Sequence, residues 1–162
     1  MDTIDEVTLQ YYQPKFLKEL IDFYLPEDQE QFTALPVEML ETSDVRHPIV
    51  IENQHEAVGF FVLHSSDRVA EYTDNPNAML LTAFSINHAH QGKGLAQRGM
   101  RLLKDFVQQE FPQCNEIVLA VNKRNIPAQK LYEKVGFKDT GRRKMGRIGE
   151  QLILRLTLDN IS

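Results

Sequence analysis

Two glycines one residue apart, Gly92 and Gly94, stand between an apolar run that ends at Ile86 and a helical pattern that begins at Leu95. Such a turn can bind phosphate. The first-turn amides of a helix lack intrahelical partners, the helix dipole places partial positive charge there, and glycine has no Cβ to hold an anion away. Each charge–dipole contact is worth about 0.3–1 kcal/mol, so several amides must converge for useful affinity. Spacing eliminates two known phosphate loops. The dinucleotide fingerprint G-x-G-x-x-G from Gly92 needs a glycine where Gln97 stands, and G-x-x-x-x-G-K-[ST] from Gly94 reaches Gly99 but then meets Met100 and Arg101. The pattern that remains is Gln91-x-x-Gly94-x-Ala96.

A second constellation follows: Asn125-x-x-Ala128-x-x-Leu131-Tyr132-x-x-Val135-Gly136-Phe137. Asn125 is a favoured N-cap, Pro127 suits a first helical turn and Gly136 falls where a helix ends. On that helix Ala128, Leu131, Tyr132 and Val135 share a face, so the Tyr132 ring packs inward while its hydroxyl seeks a partner. It is either a core tyrosine bonded to backbone or a proton donor. His88 and His90 lie two apart without a third ligand at suitable spacing, so they read as loop residues and no metal site is expected.

These residues need elements to place them. Ala78–Ile86 reads as a strand buried inside a sheet, and Leu95, Gly99, Leu102, Leu103, Phe106 and Val107 mark one face of a single long helix that Pro112 ends. Glu116–Val121 is a second buried strand, and the order strand, helix, strand implies parallel neighbours. Phe137 onward and Gln151–Leu158 supply a closing antiparallel pair. Upstream lie a short strand at Val7–Tyr12, a helix carrying Phe16 to Tyr24, a second helical stretch from Glu27 that Pro36 breaks, and a hairpin of residues 48–52 and 57–63 around Asn53-Gln54-His55-Glu56. The fold class is mixed α/β (α+β).

The 162 residues suit one domain, and 18 basic against 23 acidic residues leave a net charge of −5. That balance argues against a nucleic-acid partner and suits a cationic one. The triplet Arg142-Arg143-Lys144 is too brief to reverse it. Cys114, the single cysteine, cannot form an internal disulfide and reads as a small packed residue in a reducing cytoplasm. The acidic start from Met1 to Glu6 lacks the pattern of a cleavable leader, and apolar runs such as Ile117–Val121 are far short of a membrane span, so no membrane partner is expected.

The two constellations, each after a buried strand and in this order, resemble the GNAT superfamily of acetyl-CoA-dependent N-acetyltransferases. Gln91, Gly94 and Ala96 match all three specified positions of its Q/R-x-x-G-x-G/A signature, and the second stretch is similar to its N-x-x-A-x-x-L-Y-x-x-x-G-F block. The likeness covers residues 78–158 well. It implies a single domain over 1–162, with 78–137 as the acetyl-CoA-binding core and 1–77 as a variable substrate-binding part. It also implies a central mixed, mostly antiparallel sheet, splayed between two central parallel strands and flanked by helices.

By the same resemblance, the pantetheine arm of acetyl-CoA would lie in the splay, bonded to main-chain groups around Phe84, Ile86 and Asn87. Gln91, Gly92, Lys93, Gly94, Leu95 and Ala96 would hold the pyrophosphate. Asn125 would cap its helix, alone or while also bonding the pantetheine arm. Lys93, Arg98, Lys123, Arg124 and Lys130 would receive the ribose phosphate or form a solvated face. Tyr132 would protonate the departing thiolate, and a main-chain N–H near Ile86 or Asn87 would stabilise the oxyanion. The general base stays open among Glu71, Asp74, Glu150 and a water chain. Residues 117–121 lack the carboxylate that members acetylating protein N-termini commonly carry. The segment Gly141–Leu158, with Gly149-Glu150 before the leucine-rich strand, looks like the polyamine-acetylating branch. The expectation is a cytoplasmic enzyme acetylating the primary amine of a small molecule, a polyamine by preference. The alternatives are a protein lysine or N-terminal acetyltransferase and a non-catalytic acyl-CoA-binding module; a homodimer is left open.

Overall fold

The computed structural model describes residues 6–158; the start at Met1–Asp5, most of the stretch read as carrying no leader, lies outside them. Seven strands form one sheet: β1 (Val7–Tyr11), β2 (Arg46–Asn53), β3 (Glu56–His64), β4 (Ala78–Ile86), β5 (Glu116–Asn122), β6 (Lys138–Gly146) and β7 (Gly149–Thr157), in the order β1-β2-β3-β4-β5-β7-β6. Only β4 and β5 pair in parallel; every other neighbour is antiparallel. The mixed α/β expectation, with two central parallel strands, is met. The hairpin is tighter than the sequence implied. Gln54 and His55 alone turn the chain, at φ 53° and 69°, the left-handed geometry that matches strand twist.

Apolar alternation along the strands builds two faces. Phe61, Leu63, Met79, Leu81, Ile117 and Leu119 meet α3 (Leu95–Arg101), α4 (Leu103–Glu110) and α5 (Ile126–Lys134) on one side. Phe60 and Val62 meet Phe16 and Leu20 around α1 (Leu17–Ile21) on the other. The single long helix expected after Leu95 is in fact two, because the turn tightens where the Leu102 N–H bonds the Gly99 carbonyl (3.1 Å). Gly99 packs so closely on Ile51 that a Cβ there would lie 2.9 Å from Ile51 Cδ1. Upstream of β2 the helical stretches shrink to α1 and to α2 (Glu27–Glu30), with 3-10 turns at Pro14–Phe16 and Pro36–Glu38. Pro14, Pro26 and Pro36 divide this region too finely for longer helices. Cys114 is buried, as its packed reading required. No helix among the described residues is long and apolar enough to cross a membrane.

The parallel ladder is short. Ala78, Met79 and Leu80 pair with Glu116, Ile117 and Val118, and beyond them the two strands part. A bulge in β4 accounts for the divergence. Phe60 faces Ser85 while Val62 faces Thr82, so β4 carries an extra residue, and Ala83 sits at φ 58°. Bulges bend a strand and sharpen its twist, and a left-handed alanine costs about 1–2 kcal/mol. The closed end is pinned: Glu116 Oε1 accepts from Asn75 Nδ2 (3.2 Å) and Thr73 Oγ1 (3.3 Å).

His64, at the end of β3, is 2% exposed and its Nε2 lies 2.7 Å from Thr82 Oγ1. Burial, aided by repulsion from Arg68, Arg46 and His47, lowers its pKa from 6.5 to about 4. The unfolded chain therefore takes up a proton near pH 6.5 that the folded chain refuses until near pH 4. Above that window the residue adds no pH dependence; as pH falls through it, stability is lost, by on the order of 2 kcal/mol. Urea unfolding of His64→Gln, which can still bond Thr82, should show a flatter pH curve than wild type between pH 7 and 4. Superimposable curves would show that His64 is not the group responsible.

Candidate functional site

Where β4 and β5 part, a cleft of about 1220 Å³ opens. It passes through the sheet. Phe84 packs with the core on the α3 and α5 side, whereas Thr82 points to the opposite face, where it meets His64. Strand alternation puts Ser85 on that opposite face too. The cleft accordingly has Gly92, Gly94, Ala96, Asn125 and Tyr132 on one side and Leu25, Asp28, Phe32, Thr33 and Glu38 on the other.

The upper part of β4 presents its main chain to this gap. The Asn87 N–H donates to the Val58 carbonyl (2.9 Å), and antiparallel ladders alternate. The backbone N–H of Ile86, one residue earlier, is thereby turned toward the open side. Of the two amides considered for an oxyanion, that of Asn87 is committed to β3, and Asn87 does not line the cleft. Its Oδ1 instead accepts from the Tyr24 N–H (3.1 Å).

The glycine turn is open. Gly92 and Gly94 adopt φ 80° and 76°, and an ideal Cβ at either would meet nothing within 4 Å. No backbone acceptor among the described residues takes the N–H of Gly92, Lys93 or Gly94. The free amides and the start of α3 at Leu95 make a cradle whose polarity suits an anion. Leu95 and Ala96 line the cleft with the glycines; Lys93 does not. Gln91 also lines it, but its side chain is a brace. Its Nε2 donates to the Ile86 carbonyl (2.8 Å) and to Gln29 Oε1 (2.8 Å), while Gln29 Nε2 donates back to Gln91 Oε1 (3.1 Å).

Asn125 caps α5, its Oδ1 accepting from the Ala128 N–H (3.3 Å), and it also lines the cleft. Tyr132, 6% exposed, lies between Phe84 and Phe137, with ring centroids 6.1 and 5.5 Å away. Burial pushes its phenol well above the usual tyrosine value, so the group stays protonated across any working pH.

The acids considered as bases sit elsewhere. Glu71 pairs with Lys144 (3.4 Å), Glu150 pairs with Lys123 (3.4 Å), and neither they nor Asp74 line the cleft. Asp28, Glu30 and Glu38 do. The only sequence signal for Asp28 and Glu30 was the density of acid in Glu27-Asp28-Gln29-Glu30, which has no motif spacing, and Glu38 had none. Of the basic group, Arg124 reaches the cleft, joined by Arg147; Arg98, Lys123 and Lys130 do not. His90 faces Glu56 (3.1 Å) and His88 meets Tyr24 edge-on.

Comparison with known proteins decides what this arrangement belongs to. The sequence model of the Acetyltransferase (GNAT) family matches residues 14–137. The chain belongs to the GNAT acetyltransferase family. It is 47% identical over 153 residues to the uncharacterized N-acetyltransferase YbbJ of Bacillus subtilis (strain 168), spanning 92% of this chain and 96% of that protein. It is 29% identical over 128 residues to a spermine/spermidine N(1)-acetyltransferase of the same strain, spanning 75% and 81%. Among solved structures, the aminoglycoside acetyltransferase AAC(6')-Ib in complex with coenzyme A and kanamycin superposes with a TM-score of 0.76 at 19% identity, over 94% of this chain and 95% of that one. This GNAT protein is thus an acetyl-CoA-dependent N-acetyltransferase, and its splayed sheet is the fold of these neighbours.

Gly94→Ala should weaken coenzyme A binding at least about tenfold, because its Cβ enters the cradle; the strain of alanine at positive φ, about 1–2 kcal/mol, lowers stability instead. Gly141→Ala is the control, with φ 87° and equally open surroundings but outside the cleft lining. It should lose comparable stability and keep its affinity. Equal affinity in both variants, measured by calorimetric titration, would reduce the cradle to a chain reversal.

Proposed function

We propose that this enzyme transfers the acetyl group of acetyl-CoA to a primary amine of a small molecule, with a polyamine as the preferred acceptor. The observation that carries the reading is the cleft through the sheet, with an amide cradle for an anion on one face and Asp28, Glu30 and Glu38 on the other. Negative charge at the mouth of a cleft raises the local concentration of a polycation and speeds its arrival. The similarity to a spermine/spermidine N(1)-acetyltransferase supports the same class of acceptor. Residues 78–137 then form the acetyl-CoA-binding core and the preceding segment the acceptor side. The lone buried Cys114 suits a reducing, cytoplasmic setting.

The residues present fit the cosubstrate. The open turn at Gly92 and Gly94, with Leu95 and Ala96, would hold the pyrophosphate, Lys93 would stand beside it in solvent, and Gln91 would hold the turn in shape. The main chain of Phe84, unpaired on the β5 side, and the lone pair that Gln91 leaves on the Ile86 carbonyl would bond the amide-rich pantetheine arm; Asn87 would anchor the end of β4, and Asn125 would add its amide while capping α5. When bound, acetyl-CoA supplies an acetyl group activated as a thioester, open to attack by a neutral amine. The Ile86 N–H would face the oxygen on which charge develops. Tyr132 would give its proton to the sulfur as the carbon–sulfur bond breaks, and the proton lost by the amine would pass to water in the cleft. Holding both reactants in one channel supplies much of the acceleration.

Free thiol released from acetyl-CoA, followed with spermidine, spermine, kanamycin, a monoamine and a lysine peptide, tests the reading. The polyamines should give the highest kcat/KM; a lysine peptide ahead of them would move the acceptor class to protein, and binding without thiol release would leave only an acyl-CoA module. Tyr132→Phe should lower kcat by about 10²–10⁴-fold while coenzyme A affinity stays within about twofold. Unchanged turnover would take Tyr132 out of the chemistry.

A further inference from the structure

The acceptor side of the cleft and the glycine turn are 62 positions apart in sequence at Gln29 and Gln91, yet they are fastened directly to one another. The Tyr24 N–H donates to Asn87 Oδ1 (3.1 Å) and the His88 N–H donates to the Tyr24 carbonyl (2.9 Å). The Tyr24 and His88 rings meet edge-on at 5.7 Å. Five residues on, Gln29 and Gln91 exchange two amide bonds of 3.1 and 2.8 Å, and Gln91 passes the contact to the Ile86 carbonyl (2.8 Å). One chain of bonds therefore joins Asp28 and its neighbours, the turn at Gly92 and Gly94, and the strand edge at Ile86. A reciprocal amide pair fixes position and angle together, since neither side chain can turn without losing both bonds.

We propose that Gln29 is a positioning residue that couples the two halves of the site through Gln91. Gln29 sets the turn on which a diphosphate would sit, and a diphosphate seated there fixes the acceptor wall in return, as reciprocity of binding free energies requires. This rests on the turn being the coenzyme A cradle.

The test uses coenzyme A itself on the full chain. Gln29→Met keeps length and removes both bonds; losing one or two such bonds should weaken coenzyme A by about fivefold to tenfold. Gln91→Met should weaken it at least as much, and the double variant should be no worse than Gln91→Met, because Gln29 acts through its partner. Gln29→Glu, still able to accept from Gln91 Nε2, should recover part of the loss. A merely structural role would lower the melting temperature without this non-additivity or rescue. In the wild-type protein, coenzyme A should slow hydrogen exchange at the Tyr24 amide and across residues 27–30, a readout that does not depend on any variant folding. Additive losses, affinity within about twofold in Gln29→Met, or no protection of residues 24–30 would each overturn the coupling. Failure of the wild type to bind coenzyme A would instead overturn the functional reading beneath it.

Discussion

β4 and β5 pair for three residues and then separate, and the site exists because of that separation. A parallel pair buried between helices normally satisfies every N–H and C=O along its length. Here the ladder is held at one end and forced apart at the other. Glu116, bonded by Asn75 and Thr73, pins the closed end, while β3 and β7 hold the outer edges of the two strands. The extra residue at Ala83 bends β4 between these fixed boundaries. Main-chain groups that would cost about 1–3 kcal/mol each if buried and unpaired must then face water or a ligand rich in amides.

The same divergence decides where the helices begin. α3 follows the carboxyl end of β4 and α5 follows the carboxyl end of β5, so their N-termini come to the mouth of one gap. Ligands of parallel strands gather at that end for this geometric reason. Gly94 is the N-cap of α3 with no side chain over its amides, and Asn125 is the N-cap of α5 with a side chain that serves its own helix. An anion and a neutral amide chain are suited to these two different ends. The opposite face, built from short segments between prolines, carries carboxylates instead. The cleft therefore runs from a positively polarised wall to an acidic one.

How much of this could be read from the sequence follows from the range of the interactions involved. The stretch from Ala78 to Gly136 declared itself because its signals are local: apolar runs, Asn125 before Pro127, and glycines at positive φ. The bulge at Ala83 left no such trace, since alanine is not a turn residue and the register lives in the pairing of Phe60 with Ser85. The break at Leu102 was hidden for a similar reason, lying beside a Gly99–Ile51 contact between residues far apart in sequence. Glu71 and Glu150 are reasonable bases by chain position, but both stand outside the cleft lining, paired with Lys144 and Lys123. Gln91 fits the motif, yet its side chain bonds Gln29, a residue outside both motifs.

Tyr132 shows how burial and acidity have to be weighed together. A phenol raised above its usual value is a weaker acid, which in water would make it a poor donor to a thiolate. A sulfur within reach of this phenol, whose ring lies between Phe84 and Phe137, would develop its charge in similarly apolar surroundings, and the desolvation that disfavours phenolate also disfavours thiolate. Both basicities rise together and their difference is preserved. What burial would change is the alternative: beside the buried Tyr132 ring the sulfur would meet little water, while the amine side stays open to water in the cleft, and the phenol hydroxyl makes no bond to another group among the described residues that would have to be broken first. In the proposed reaction the Tyr132 environment would therefore favour that one donor rather than oppose the transfer.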